Sequence, residues 1–375
     1  MLREIPAEYR WRVDKARAAL AEAGCDLLML DSGESLAWLS GYSVSETMYR
    51  AVFLPREGAP WFVLRHLDAE PCRQGGWIED IIGYLDSDYP ERVMADQIAQ
   101  RGFGAVRIGV DFNSISWNPA RMAFLQAALP GARFVNLEGL TESLRWVKSA
   151  QEIGKLAEAS AIADRAMAEI AAKARPGLTT REAAATAAAC FLRHGADTGE
   201  TGPIVRGRGS HEFLHGLFRA DTLETGDILH VELIPYVGRY GARMMRPVVI
   251  GQPSARQQEV AQTLIALQDE QIEAMRPGAI ASDVDRIVRG GVLKAGLRDE
   301  YTNVTAYTLG LYIRTPRSSD FSRVFLPDQR WALEENMVFH VYTTAEGLGF
   351  SETVVVTPEG GRRLTQTPRQ ILTNG

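Results

Sequence analysis

Cysteine is scarce in this sequence, and no motif depends on it. Cys25, Cys72 and Cys190 are the only three in 375 residues, and no C-x-x-C pair occurs. An odd and widely spaced set argues against a disulfide framework and against a structural zinc site. We interpret all three as reduced thiols in a cytoplasmic protein.

Long apolar runs and an excess of positive charge are also missing. No apolar run is long enough to cross a membrane, and residues 1–4 do not begin the apolar core of a signal peptide. The formal net charge is -6, which gives no basic patch for nucleic acid. Neither a G-x-G-x-x-G fingerprint nor a P-loop occurs. We therefore expect no nucleic-acid partner, no membrane partner and no dinucleotide.

Residues 1–147 have the pattern of a separate α/β domain. Short apolar runs typical of buried strands stand at residues 26–30, 51–54, 61–64, 106–110 and 133–135. Helical patterns cover residues 8–23, 90–101 and 119–128. This alternation predicts a mixed or parallel sheet covered by helices.

Residues 226–251 predict two strands of a second domain, residues 148–375. Apolar and polar residues alternate from Ile228, and the pattern places His230 and Glu232 on the same face of the first strand. A carboxylate on an otherwise apolar strand needs a specific reason, because burying it unpaired is costly. The two-strand pattern recurs at residues 336–342 and 347–357.

The repeat extends upstream of the strands. Arg-Pro-Gly at residues 175–177 precedes Thr179 and Glu182, and Arg-Pro-Gly at residues 276–278 precedes Ser282 and Asp285. Each is a helix stop followed by a start that resembles a capping box. A further capping box, Ser149 with Glu152, opens the second domain. Two halves of helix, helix, strand and strand predict a curved sheet with helices on its outer face and a pocket between the halves.

The order of these motifs identifies a family. It resembles the creatinase/prolidase/methionine-aminopeptidase superfamily, whose catalytic domain has the pita-bread fold, and the resemblance spans essentially the whole chain. The motifs that carry it stand at residues 144–152, 175–177, 226–227, 276–278, 309–311, 334–339 and 352–357. The resemblance implies an α/β (α+β) fold class with a creatinase-like N-terminal domain and a pita-bread C-terminal domain of two pseudo-symmetric halves.

Peptidase members of this superfamily bind two metal ions through two aspartates, a histidine and two glutamates, and this chain departs at all five positions. Glu232, Arg243, Tyr307, Tyr342 and Ser351 stand there instead. An arginine repels divalent cations, and tyrosine is a poor ligand for the metals of such sites. We therefore expect no metal and no other cofactor, and set aside the Xaa-Pro metallopeptidase assignment.

Metal-free members suggest another chemistry. Creatinase keeps an acid/base histidine twelve residues before the aspartate of the Gly-Asp strand start, which is His215 here. Ectoine hydrolase resembles this chain more closely, with a glutamate at Glu232, an Arg-Tyr pair like Arg239 and Tyr240, and a tyrosine at Tyr307. Residues 43–47 and 313–317 depart from its pattern, which puts the substrate in doubt.

The residue types fit cleavage of a C–N bond. Glu232 would be the nucleophile or orient a water, and His215 would shuttle the proton. Tyr307 and Tyr342 would donate hydrogen bonds to developing charge. A substrate carboxylate would be held by an arginine. The candidates for that contact are Arg243, Arg314 and Arg317.

Each candidate has a plainer alternative. His215 is in a loop-like segment where histidines are commonly solvated. Glu232 has the alternative of a structural ion pair with Arg243. His230, His340 and Glu352 are further candidates for the site, the two histidines because they share a face with Glu232 and Tyr342. Their alternatives are sheet-stabilising roles for the histidines and a place behind the site for Glu352. Tyr307 and Tyr342 have the alternative of filling volume, and Arg317 and Arg323 that of lying on the surface.

The leading hypothesis is a metal-independent hydrolase of a C–N bond, amidine or amide, in a small zwitterionic nitrogen compound. The alternatives are a compatible-solute lyase like the dimethylsulfoniopropionate lyases, and a non-catalytic protein that binds a ligand or partner in the pocket. The resemblance also implies a homodimer in which the N-terminal domain of one subunit covers the other's site. Tyr49 and Arg50 are the residues expected to reach it.

Overall fold

The computed structural model describes residues 5–42, 48–312 and 322–374. These residues form two compact units, with the division between Arg145 and Trp146. Within the described ranges, no helix is both long and apolar enough to span a bilayer. Each unit is described by itself below.

The first unit is a six-stranded mixed sheet with helices. Its helices are α1 (Ala7–Glu22), α2 (Gly33–Ser40), α3 (His66–Gly75), α4 (Pro90–Gln100), α5 (Pro119–Ala128) and α6 (Leu140–Ser143). Its strands are β1 (Leu27–Leu30), β2 (Ala51–Pro55), β3 (Trp61–Arg65), β4 (Asp80–Tyr84), β5 (Arg107–Val110) and β6 (Arg133–Asn136). The strand order is β4-β3-β2-β1-β5-β6, and β2 is antiparallel to both of its neighbours while the other pairs are parallel.

The predicted elements of this unit are present, and four others were missed. The missed ones are α2, α3, α6 and β4. β4 was missed because only Ile81 and Ile82 supply a short apolar core between Asp80 and Gly83. α3 contains Pro71, a residue that ordinarily stops a helix, so its pattern was not recognised as helical.

The second unit is organised around a larger sheet. Its helices are α7 (Ala150–Lys173), α8 (Thr180–Arg193), α9 (Ala255–Ala274) and α10 (Ala281–Lys294), with a 3-10 helix at Glu212–His215. Its strands are β7 (Ile204–Arg206), β8 (Ile228–Leu233), β9 (Tyr236–Val237), β10 (Tyr240–Gly241), β11 (Met244–Val249), β12 (Ala306–Thr308), β13 (Val338–Ala345), β14 (Leu348–Thr357) and β15 (Gly360–Arg363).

The sheet of the second unit shows the predicted internal repeat. Its order is β12-β13-β14-β11-β8-β7, with β15 also paired to β14 and with β9 and β10 forming a separate ribbon. The two halves therefore meet at β11 and β14, which pair antiparallel. Each half contributes two helices that contact each other, α7 with α8 and α9 with α10. The α/β fold with two pseudo-symmetric halves is confirmed.

Local capping explains where three of the four α-helices of the second unit begin. Ser149 and Thr179 both form complete capping boxes, as predicted, and Ser254 with Gln257 forms another. The predicted box at Ser282 is wrong, because α10 begins at Ala281 with Ile280 as its N-cap and no side-chain cap. Asp285 instead lies inside α10 and pairs with Arg289 at 2.6 Å.

Buried polar side chains join the strands to the rest of the unit. Arg246 of β11 is fully buried and donates to the carbonyls of Met245, Ser351, Thr367 and Pro368. It also donates to the Glu352 carboxylate at 2.7 Å. On the helical side, Gln268 of α9 donates to carbonyls of β13 and β14. These contacts satisfy polar groups that would be costly to bury alone.

Candidate functional site

A row of side chains crosses the sheet of the second unit at one register. Glu232 of β8 pairs with Met245 of β11, Met245 with Ser351 of β14, and Ser351 with Tyr342 of β13. Directly paired residues of antiparallel strands point to the same face. Residues two positions away along each strand share that face. The sheet therefore brings together His230, Glu232, Arg243, Tyr307, His340, Tyr342, Ser351 and Thr353.

The charged centre of this face is Glu232 with Arg243. Arg243 Nη1 lies 3.4 Å from Glu232 Oε1, and the residues are only 5% and 4% exposed. The Arg243 backbone is held from both sides by one hydroxyl, since Thr353 Oγ1 accepts from its N–H and donates to its C=O, both at 2.9 Å. The ion pair with Arg243, which the sequence analysis gave as the alternative role of Glu232, is therefore present in a buried setting.

Aromatic groups continue the face beyond the arginine. Arg243 Cζ is 5.4 Å from the centre of the Tyr307 ring. Tyr307 Oη and His340 Nδ1 form a 2.7 Å hydrogen bond, and His340 stacks on Tyr342 with ring centres 5.1 Å apart. Burial raises the pKa of Tyr342, and burial together with the Arg243 charge holds the pKa of His340 well below its usual value. At neutral pH this part of the face therefore carries a neutral imidazole and protonated phenol.

A hydrogen-bond chain that the sequence analysis missed leads away from Tyr342. Asn303 Nδ2 donates to Tyr342 Oη at 3.2 Å, and Arg298 donates to Asn303 Oδ1 at 3.0 Å. Arg298 Nη2 is also 3.0 Å from His211 Nδ1. No sequence motif predicts these hydrogen bonds, because Arg298 and Asn303 lie in the irregular segment that follows α10.

His230 is buried on the same face. Its ring is fully buried, and neither nitrogen has a hydrogen-bond partner among the described residues. Burial lowers its pKa to about 3, so the ring is neutral at physiological pH. It packs edge-on against Phe213, with ring centres 4.6 Å apart.

Other predicted site residues lie elsewhere or cannot be placed. His215 is exposed at the end of the 3-10 helix, and its proposed proton-transfer role stays a prediction. Tyr49 and Arg50 belong to the first unit, where Tyr49 Oη donates to Asp31 Oδ2 at 3.2 Å and Arg50 is buried. Arg314 and Arg317 fall outside the described residues.

The structure does not bring Glu352 to this face. Because Ser351 points toward Glu232, its neighbour Glu352 points to the opposite face of the sheet. There its carboxylate is fully buried beside Arg246 at 2.7 Å and Arg369 at 3.3 Å, and it accepts from Thr365 Oγ1. Glu352 is thus part of the structural ion-pair cluster behind the sheet.

The five positions at which the resemblance places metal ligands do not fit two divalent cations. They hold one carboxylate, Glu232, where the family pattern has four, and Glu232 already contacts a guanidinium. A divalent ion 4 Å from Arg243 would be repelled by about 8 kcal/mol at an effective dielectric constant of about 20. The Tyr307 hydroxyl is hydrogen-bonded to His340, and Ser351 Oγ is a neutral group with no hydrogen-bond partner in the described part of the chain.

One cluster of potential metal ligands lies away from this face. Among the described residues, the one group of three His, Cys, Asp or Glu with ligand atoms mutually close is Glu169, Cys190 and His194. It lies on α7 and α8, outside the sheet. Arg193 bonds to Glu169 and Arg165 to His194, so two cations already adjoin that group. Burial and Glu169 raise the pKa of Cys190 to about 11, which disfavours the thiolate that a metal needs.

The two units and the strand order define a pita-bread hydrolase scaffold with a creatinase-type N-terminal domain. The family models agree: residues 12–147 match the creatinase/prolidase N-terminal domain, and residues 154–358 match metallopeptidase family M24. The chain belongs to metallopeptidase family M24.

Several relatives cover nearly the whole chain. YkvY of Bacillus subtilis, provisionally named a dipeptidase, is 26% identical over 367 residues, which are 96% of this chain and 99% of that protein. The Xaa-Pro dipeptidase of Lactobacillus helveticus is 24% identical over 368 residues, 96% of this chain and 98% of its own. The crystal structure of the dipeptidase PepE from Mycobacterium ulcerans superposes with a TM-score of 0.81 at 26% identity, covering 98% of both chains.

These findings correct the functional hypothesis drawn from the sequence. A metal-independent hydrolase of a non-peptide C–N bond was expected, with a lyase or a binding protein as alternatives and a peptidase set aside. The relatives are dipeptidases, and they support membership of the peptidase family without supporting an ectoine-hydrolase branch. The hypothesis was wrong because differences at five positions were given more weight than the similarity of the whole chain.

Proposed function

We propose that this protein hydrolyses the peptide bond of a dipeptide. The observation that carries the proposal is the match along the whole chain to relatives named as dipeptidases. The site is consistent with a small substrate, since its charged and polar groups are gathered on one buried face of the second unit's sheet. That face supplies one carboxylate, one guanidinium and two phenol hydroxyls.

The carboxylate of Glu232 is the group best placed to accept a proton. Hydrolysis requires a water to lose a proton as its oxygen attacks the carbonyl carbon, and the leaving amine to gain one. Glu232 would take the first proton and return it to the amine. Tyr307 and Tyr342 would donate hydrogen bonds to the negative charge that develops on the carbonyl oxygen. The raised pKa of Tyr342 keeps its hydroxyl protonated for this role.

A dipeptide panel tests the proposal directly. The purified protein is incubated with Xaa-Pro dipeptides and with dipeptides of the same N-terminal residue and a C-terminal leucine, and released amino acids are quantified by chromatography. We expect turnover of at least one dipeptide, and a fall in kcat of about 100-fold or more in Glu232→Gln. The matched control is Glu259→Gln, because Glu259 has a side chain that is 68% exposed on α9. It should keep wild-type activity.

Two results would contradict the proposal. One is the absence of hydrolysis across the panel by protein whose circular dichroism shows it to be folded. The other is full activity in Glu232→Gln. If Glu232→Gln does not fold, Glu232→Asp keeps the charge and moves the carboxylate by about one methylene, so its kcat should fall while the fold is retained.

A further inference from the structure

Arg243 puts a positive charge at a position where the family resemblance places a metal-binding aspartate. It lies 3.4 Å from Glu232 and beside the Tyr307 ring. Its backbone is fixed by Thr353 of β14, so its side chain leaves the sheet from a defined point. The fold therefore presents a positioned guanidinium where a metal-binding relative would present an aspartate.

The groups around Arg243 are suited to an anion. Tyr342 Oη accepts from Asn303 and keeps its own hydrogen to donate, Ser351 Oγ has no hydrogen-bond partner among the described residues, and His340 is neutral. Glu232 is the one carboxylate of this face. Arg243 Nη1 lies 3.4 Å from Glu232 Oε1, which is longer than the roughly 2.7–2.9 Å of a strong charge-assisted hydrogen bond.

We infer that Arg243 makes this face a binding site for the free carboxylate of a small ligand, in place of the metal ions that the family pattern implies. Guanidinium and carboxylate match in geometry as well as charge, because two parallel N–H donors meet two oxygens. If the proposed function holds, the ligand is the C-terminal carboxylate of the dipeptide and of the amino acid released from it. Glu232 then lies next to that carboxylate, where it can also attract the ligand's ammonium group.

Matched pairs of ligands isolate the carboxylate. L-Proline and L-prolinamide, and likewise L-leucine and L-leucinamide, keep the ammonium and side chain while the amide removes the negative charge, and neither acid is hydrolysed. Binding to the purified full-length protein is measured by calorimetry. We expect at least one acid to bind about tenfold or more tightly than its amide, and Arg243→Gln to remove the difference.

Two further variants separate charge from geometry and from folding. Arg243→Lys keeps the positive charge without the forked donors, so it should retain part of the preference for the acid. Arg256→Gln is the matched control, because the Arg256 side chain is 51% exposed on α9 and should not affect the preference. Equal binding of acid and amide by wild type, or an unchanged preference in folded Arg243→Gln, would overturn the inference.

A metal measurement completes the test and keeps it distinct from the proposed function. Wild-type protein is dialysed against Mn²⁺ and the bound metal is counted. We expect no stoichiometric uptake, and two Mn²⁺ per chain lost in Glu232→Gln would overturn the inference. Suppose that wild type prefers the acid through Arg243 but hydrolyses no dipeptide: the carboxylate site is then supported and the proposed dipeptidase activity is refuted. Dipeptide hydrolysis without a preference for the acid would support the proposed activity and refute the carboxylate site.

Discussion

A single guanidinium changes the electrostatics of the candidate site. With the family's four carboxylates at the five metal-ligand positions, the face would have a net negative charge. In this protein those positions hold one carboxylate, Glu232, and one guanidinium, Arg243, so their charges nearly cancel. Burial strengthens the effect, since charges interact more strongly away from water. The identity of the residue at position 243 therefore decides whether the face attracts a cation or a carboxylate.

Asp31 gives a pH prediction at the same scale. Burial raises the pKa of its carboxyl to about 6, although hydrogen bonds from Ser114 and Tyr49 oppose the rise. The folded state then binds more protons than the unfolded state between about pH 4 and 6, so this group's contribution to stability falls as the pH rises through that window. From pH 5 to pH 7 the loss is about 1 kcal/mol.

Asp31→Asn cannot titrate and serves as the comparison. The free energy of unfolding of wild type and of this variant is measured with urea at pH 5 and pH 7. We expect the wild type to lose about 1 kcal/mol relative to the variant between the two pH values. A difference that does not change with pH, or one of the opposite sign, would show that the carboxyl titrates normally.

Similar sequences at the starts of α8 and α10 differ in whether they cap the helix. At α8, Thr179 Oγ1 accepts from the Glu182 N–H at 3.1 Å, while the Glu182 carboxylate accepts from the Thr179 N–H at 2.9 Å. At α10 the similar sequence around Ser282 makes no cap, and Ser282 Oγ accepts instead from Arg330 at 3.2 Å. The same short motif thus has two structural outcomes.

A pair of alanine variants measures that difference. Thr179→Ala removes an N-cap acceptor and should lower the free energy of unfolding by about 1 kcal/mol. Ser282→Ala leaves the start of α10 unchanged and should cost less than half as much. Chemical denaturation of both variants beside wild type is the measurement, and equal losses would mean that Thr179 does not stabilise α8 as a cap.

We propose a homodimer in which Tyr49 or Arg50 of one subunit contributes to the other's site, as the family resemblance implies. Sedimentation should then give a mass of about twice 41.3 kDa. A mixture of Arg50→Ala and Glu232→Gln chains should regain activity, since random pairing leaves about one quarter of the sites intact.

The control is a mixture of Glu232→Gln and Arg243→Gln chains. Those residues are in contact within one chain, so every site of the mixed dimer keeps one defect and no activity should return. Restoration in the control, or a monomer in sedimentation, would contradict the shared-site proposal.

Much of the architecture follows from local signals in the sequence. Ser149 and Thr179 with their glutamates mark helix starts, and the repeated Arg-Pro-Gly turns and strand pairs predict the two halves of the sheet, because capping and alternation depend on neighbours only a few residues apart. The same alternation places Ser351 and Glu352 on opposite faces. Short or atypical elements such as β4 and the proline-containing α3 carry too weak a local signal.

The composition of the site depends on contacts between distant parts of the chain. Thr353 fixes Arg243, and Asn303 links Tyr342 through Arg298 to His211, across separations that no local pattern encodes. The family resemblance identified the residue types at five positions, but the metal-independent cleavage of a non-peptide C–N bond inferred from them was wrong. Only the paired strands show that these side chains meet on one buried face, because strand register joins residues more than a hundred positions apart and burial sets which of them remain charged.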